Sequence, residues 1–74
     1  MRKLPFECEI LDSKPVEVSN RFTGESCILP PDAVAVYDCI IGAEMMGNYK
    51  TVRQGLDWFQ KHFITEYMIL LDWS

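Results

Sequence analysis

The residue types best suited to chemistry in this chain are three cysteines and the single histidine: Cys8, Cys27, Cys39 and His62. Thiolate and imidazole groups are common zinc ligands, so the set has the composition of a Cys3His site. Structural zinc sites take their ligands in closely spaced pairs, and no two of these four residues are that close in sequence. We therefore expect no metal site and no cofactor. The odd, widely spaced cysteines also argue against a disulfide framework and favour a reducing, intracellular setting.

A catalytic site would need a nucleophile with an oriented base. His62 is the only histidine, and its one carboxylate neighbour at helical spacing is Glu66, which requires an uninterrupted helix between them. Three other carboxylates, Glu7, Glu9 and Glu17, fall on one face of the predicted strands, where exposure to solvent explains them. P-loop, GxGxxG, HExxH and GxSxG motifs are absent. The sequence predicts no catalytic residues and no enzymatic activity.

The elements that position these residues begin with strands. The stretch "FECEIL" alternates apolar and polar side chains, which is typical of a half-buried strand. Gly24 can supply the positive φ of a tight hairpin, which would set Val18 opposite Leu29. The sequence thus predicts a three-stranded antiparallel β-meander with one apolar face, its strands at about 6–11, 16–21 and 26–29.

Two main helices are predicted after the meander, at about 32–46 and 49–63. Pro31 suits a helix start, Gly47 suits a left-handed helix end, and Asn48 suits the N-cap of the second helix. A short C-terminal helix, about 66–72, completes the prediction, although a strand over "YMILLDW" stays open on β-propensity. The expected fold is a single α+β domain, residues 1–74, with the helices packed on one sheet face.

The first predicted helix is apolar on nearly every side. A helix of this kind is buried all round, and 74 residues offer little material to cover it. We therefore expect a second copy of the chain to cover it, in a homodimer with Ala35, Met45 and Met46 at the seam.

The second predicted helix carries a regular apolar stripe. It consists of Tyr49, Val52, Leu56, Phe59 and Phe63. Phe59 is therefore expected in the core, whereas Trp58 lies about 100° away, outside the stripe. Two hypotheses stay open for Trp58: the C-terminal tail folds over it, helped by close approach at Gly55, or Trp58 and His62 form a surface that binds a partner.

The charge distribution bears on the type of partner. The net charge of −4 argues against nucleic acid and anionic membranes as partners. The helix at 49–63 is nevertheless locally basic, through Lys50, Arg53 and Lys61. The alternative function is thus a small DNA-binding or transcription-modulating protein that uses this face together with Gln54. No signal peptide or membrane-spanning run is apparent, so we expect a cytoplasmic protein.

Three stretches resemble known proteins: "DAVAVYDCIIGAEM", "YKTVRQGLDWFQKHF" and "YMILLD". They are similar to small uncharacterised bacteriophage proteins, those of cyanophages in particular, over residues 16–72. The resemblance implies a phage protein in the cytoplasm of a bacterial host, and it brings no activity, cofactor or catalytic residue. The leading hypothesis is a non-enzymatic interaction protein, homodimeric, that acts on a phage or host protein.

Overall fold

The computed structural model describes residues 3–11, 13–20 and 22–71. It contains a β-hairpin followed by three helices, in the order β1 (Val16–Ser19), β2 (Ser26–Leu29), α1 (Pro31–Met46), α2 (Tyr49–His62) and α3 (Ile64–Leu70). The α+β prediction is confirmed, but the sheet of the described chain has two antiparallel strands instead of three. The expected second strand ends at residue 21, and the expected C-terminal helix ends at residue 72. Both of these ends lie outside the described residues.

The predicted strand at 6–11 is wrong, because this segment forms no β-ladder. Its alternation is nevertheless present in the burial pattern. Phe6, Cys8 and Ile10 are half-buried, whereas Glu7, Glu9 and Leu11 are exposed. Of these, Phe6 and Cys8 pack against the hydrophobic core. A period of two indicates an extended backbone with one buried face, and here that face is covered by helices and not by a neighbouring strand.

The hairpin pairs in a different register from the predicted one. Val18 lies opposite Cys27, and Val16 lies opposite Leu29. The prediction of Val18 opposite Leu29 is therefore wrong by two residues. Gly24 has the expected positive φ of 80°, but it belongs to a longer loop, and a longer loop shifts the register of both strands.

That longer loop is organised by Asn20, which is only 4% exposed. Its side-chain Oδ1 accepts hydrogen bonds from the backbone N–H groups of Phe22 (2.7 Å) and Thr23 (3.2 Å). Its backbone N–H donates to the carbonyl of Glu25 at 2.7 Å. Its Nδ2 donates to the carbonyl of Ile69 at 2.7 Å. One side chain thus closes the hairpin and joins it to α3.

The helix boundaries follow the local signals in the sequence. Pro31 begins α1, with Asp32 in its first turn. Gly47 ends α1 in the left-handed conformation at φ 77°, and its N–H donates back into the last turn. Asn48 caps α2, because its side chain accepts from the Thr51 N–H at 3.4 Å. All three predicted signals are confirmed.

Helix α1 lies at the centre of the fold. Residues 32–37 are all buried, as are Ile40 and Ala43. The inward side chains of the hairpin pack against the same core, namely Val16, Val18, Cys27 and Leu29. The chain itself therefore covers the N-terminal half of α1, where a second copy was expected.

The C-terminal segment forms α3, so the helix prediction is confirmed there and the strand alternative is wrong. The helix begins at Ile64, earlier than expected, after a break at Phe63 with φ −141° and ψ 58°. Leu70 and Leu71 join the core. Within the described residues, no helix has both the length and the apolar character needed to cross a membrane.

Candidate interaction surface

Trp58 is buried in this chain, as is its neighbour Phe59. Their side chains are 6% and 0% exposed. The Trp58 indole N–H donates to the carbonyl of Lys3 at 2.7 Å. The ring also meets Phe59 edge-on at 5.4 Å between centroids and Phe63 at 5.6 Å. The placement of Trp58 outside the core is therefore corrected.

The correction has a simple physical cause. The stripe predicted from sequence assumes that a single neighbouring surface covers α2. The N-terminal segment adds a second cover on another side, so the buried arc of α2 is rotated from the stripe towards Gly55 and Trp58. An indole tolerates this position because its polar N–H finds a carbonyl acceptor. Trp58 is thus unavailable as a surface anchor in this structure.

Gly55 marks the closest approach between α2 and its neighbours. A Cβ placed there would be 2.7 Å from Cδ1 of Ile40, still closer to Cγ1 of the same side chain, and 3.4 Å from Cε2 of Phe6. The predicted close approach at this glycine is real. The nearest atoms among the described residues belong to α1 and the N-terminal segment, however, where the C-terminal tail was expected.

His62 is exposed at the end of α2, and its ring lies 5.2 Å from the Trp58 ring, centroid to centroid. The break at Phe63 places Glu66 on the next helix, so the uninterrupted helix required for a His62–Glu66 pair is not formed. The two residues of the predicted partner surface are adjacent, but only His62 faces solvent.

The three residues predicted at a dimer seam separate into two groups. Met45 and Met46 are 77% and 86% exposed, whereas Ala35 is only 6% exposed. Ala35 borders a groove of about 240 Å³ between the N-terminal segment and α1, lined by Glu9, Leu11, Val34, Ala35, Asp38 and Cys39. The chain thus buries Ala35 itself, and this part of the seam prediction is corrected.

A surface that the sequence analysis missed lies on α2. An open groove of about 340 Å³ is lined by Tyr49, Val52, Arg53, Leu56, Asp57 and Gln60, all from this one helix. We call these six residues the α2 outer face. Tyr49 is 71% exposed, and Val52 and Leu56 are half-buried. The sequence did contain a signal for this surface. The apolar stripe of α2 and Trp58 together carry more apolar side chains than one helix of a small domain can bury, so some of them must be exposed.

The charged residues of α2 all face solvent. Lys50, Arg53, Gln54 and Lys61 are exposed, as is Asp57. Within residues 3–11, 13–20 and 22–71, no ion pair joins Arg53 or Lys61 to Asp57, although a spacing of four residues on a helix allows weak pairs. The basic residues that the DNA-binding hypothesis requires are thus accessible to solvent. DNA binding itself stays a prediction.

The Cys8 and Cys27 thiols are held in their protonated form. Burial raises the pKa of the Cys8 thiol from 9.0 to about 11, helped by a hydrogen bond with Cys39 and by Asp32 nearby. Burial, then the charge of Glu66, raises the pKa of Cys27. Both are therefore poor nucleophiles. Within the described residues, no group of three His, Cys, Asp or Glu side chains could hold a metal ion.

Comparisons with protein-family models, with curated proteins and with solved structures found no match to this chain. The resemblance to bacteriophage proteins therefore stays a prediction.

Proposed function

We propose that this chain is a non-enzymatic interaction protein that forms a homodimer and acts on a phage or host protein. The observation that supports it is the apolar corner where α1 meets α2. Met45, Met46 and Tyr49 are 77%, 86% and 71% exposed there. Monomeric proteins rarely leave large adjoining apolar side chains in water unless they bind something. Methionine and tyrosine are also enriched at protein interfaces.

The non-enzymatic part of the proposal is supported by the state of the groups that could do chemistry. His62 lies against the Trp58 ring, and Glu66 is on another helix. The Cys8 and Cys27 thiols have raised pKa values, which weakens them as nucleophiles. None of these residues is part of an arrangement of nucleophile, base and orienting group.

The homodimer is tested by light scattering after size-exclusion chromatography, over a range of protein concentrations. We expect the mass to rise from one chain towards two as concentration increases. A mass that stays near 8.6 kDa at high micromolar concentration would refute the homodimer.

The external partner is tested by capture from bacterial lysate on immobilised protein. The informative variant is Met45→Ser with Met46→Ser, which removes both methionines of the apolar corner and replaces no buried residue. Met68→Ser is the matched control, because Met68 is also exposed, at 61%, but lies on α3. A protein retained by the parent and the control but lost with the double variant supports the proposal. Identical retention by all three proteins would show that the corner is not the binding site.

The alternative function is DNA binding through the exposed basic residues of α2, Lys50, Arg53 and Lys61, together with the neutral Gln54. The net charge of −4 opposes it, because phosphate contacts supply most of the affinity. A gel-shift assay at low salt tests this alternative, because electrostatic binding to DNA has its highest affinity at low salt. Absence of a shifted band would end this alternative.

A further inference from the structure

The α2 outer face has two different edges. Val52 and Leu56 are one helical turn apart and form an apolar edge beside Tyr49. Arg53 and Asp57 are also one turn apart, about 40° around the helix from each other, and form a charged edge. The two charges are opposite in sign and both side chains are exposed. This face is therefore half apolar and half charged along the whole groove.

The order of the two charges distinguishes the possible ways of pairing two such helices. A two-fold axis perpendicular to both helices keeps each edge on its own side, so apolar edge meets apolar edge and charged edge meets charged edge. The helices then run antiparallel. With the axis at the level of Gly55, Arg53 of each copy faces Asp57 of the other. A parallel two-fold pair has its axis along the helices and would instead place the charged edge of each copy against the apolar edge of the other, which leaves both charges without a partner and covers the apolar side chains with charge.

We propose that a second copy of this chain docks antiparallel on the α2 outer face, with Tyr49, Val52 and Leu56 packed across the seam and two reciprocal Arg53–Asp57 ion pairs beside them. The inference rests on the homodimer of the proposed function and gives its geometry. The seam lies on α2, and not on Ala35 of α1.

The charge pattern favours a second copy over an unrelated partner. Self-complementarity is a requirement of a two-fold interface, because the same patch must serve both sides. Neither Arg53 nor Asp57 has an ion-pair partner within the described residues. Pairing between two copies therefore does not have to break an ion pair within one chain. Met46 precedes Tyr49 by three residues, which keeps it within about 11 Å of the seam. The apolar corner thus extends the same interface.

The dimer is expected to be concentration-dependent and not obligate. Helix α2 has 14 residues, which corresponds to a length of about 21 Å. A single helix pair of this length buries less than the standard interface of about 800 Å² per partner. The ion pairs are exposed at the rim, so added salt should weaken the dimer.

The experiment uses charge reversal and complementation. Arg53→Asp leaves only negative charge on the charged edge, and Asp57→Arg leaves only positive charge. Each single variant should raise the dimer dissociation constant about tenfold or more, since two attractions become two repulsions. A mixture of the two single variants should recover a heterodimer. The double variant Arg53→Asp with Asp57→Arg should recover the homodimer.

Two controls isolate the position from the charge. Lys14→Asp makes the same charge change as Arg53→Asp, and Glu25→Arg makes the same change as Asp57→Arg, at exposed positions outside the α2 outer face. Sedimentation equilibrium gives the dissociation constants, and far-ultraviolet circular dichroism checks the fold. Tyr49→Ser, which leaves both charges in place, should also weaken the dimer.

The outcomes separate this inference from the proposed function. Loss in both single variants, with recovery in the mixture, supports the antiparallel seam. If the parent chain dimerises and neither charge reversal nor Tyr49→Ser changes the dissociation constant, the α2 seam is refuted but the homodimer is not. A parent chain that stays monomeric overturns both. Capture of the external protein, measured separately, tests the remaining part of the proposed function.

Discussion

The packing at Gly55 allows a sharp test of the fold, because the chain offers a matched control. Gly42 and Gly55 both lie inside helices. A Cβ at Gly42 meets nothing within 4 Å, whereas a Cβ at Gly55 would overlap the side chain of Ile40. Replacing a helical glycine with alanine gains about 0.8–1 kcal/mol of intrinsic helix propensity. The two substitutions therefore share one favourable effect and differ in what the new methyl group meets.

The size of the difference follows from the burial of Ile40, which is 0% exposed and cannot move into solvent. Overpacking of this kind costs about 1–3 kcal/mol. Two Ile40 atoms overlap the new methyl group, so the cost should fall in the upper half of that range. After the gain in helix propensity is subtracted, Gly55→Ala should lower the free energy of unfolding by about 1–2 kcal/mol. Gly42→Ala should stabilise by about 1 kcal/mol. In a domain of this size, the two variants should differ in Tm by roughly 10–20 °C.

The assay is urea and thermal unfolding, followed by tryptophan fluorescence and circular dichroism at one fixed protein concentration. Ile40→Ala provides the internal check, because it removes both overlapping atoms. In that background, Gly55→Ala should become neutral or stabilising, and approach the gain at Gly42. If Gly55→Ala stabilises the parent chain as much as Gly42→Ala does, the close packing of α1 on α2 is refuted.

Three other substitutions test further contacts. Asn20→Ala should cost about 2–4 kcal/mol in the free energy of unfolding, because three hydrogen bonds are lost and the Ile69 carbonyl loses its donor; an effect below about 0.5 kcal/mol would show that the loop does not depend on Asn20. Trp58→Phe keeps an aromatic ring but removes the bond to Lys3, so proteolysis of the N-terminal segment should be faster, and an unchanged rate would contradict that bond. The folded pKa of Cys8 is raised to about 11, so between pH 9 and about 11 its thiol ionises in the unfolded chain first and the folded chain loses stability. Cys8→Ala should reduce this loss. Urea unfolding at pH 8 and pH 10.5 measures that loss, and equal losses in parent and variant would contradict the assignment.

The bounds of α1 and α2 could be predicted from sequence almost to the residue, for a local reason. Pro31, Gly47 and Asn48 act on the backbone within one turn of themselves, and α1 and α2 begin and end where those residues indicate. The N-terminal segment shows the opposite case. Its alternation correctly predicts which side chains are buried, but hydrogen-bond partners are set by distant parts of the chain, and no local pattern reports them.

The candidate surface shows the same limit. The exposure of Met45 and Met46 follows from an excess of apolar residues over what one small domain can bury. The buried position of Trp58 does not follow from its spacing, because it depends on the carbonyl of Lys3, far away in sequence. Once Trp58 takes a place in the core, Tyr49 and its neighbours on α2 are displaced towards solvent.

The two hydrogen bonds that hold the ends of the chain have a consequence for the order of folding. The Trp58–Lys3 bond spans 55 residues, and the Asn20–Ile69 bond spans 49. Contacts this far apart in sequence carry a larger loop-closure entropy than the hairpin or the α1–α2 turn. The helices and the hairpin should therefore form first, and the N-terminal segment should close over Trp58 last. In stopped-flow refolding of a Trp73→Phe variant, in which Trp58 is the one remaining tryptophan, its fluorescence should lag behind the circular dichroism signal of the helices.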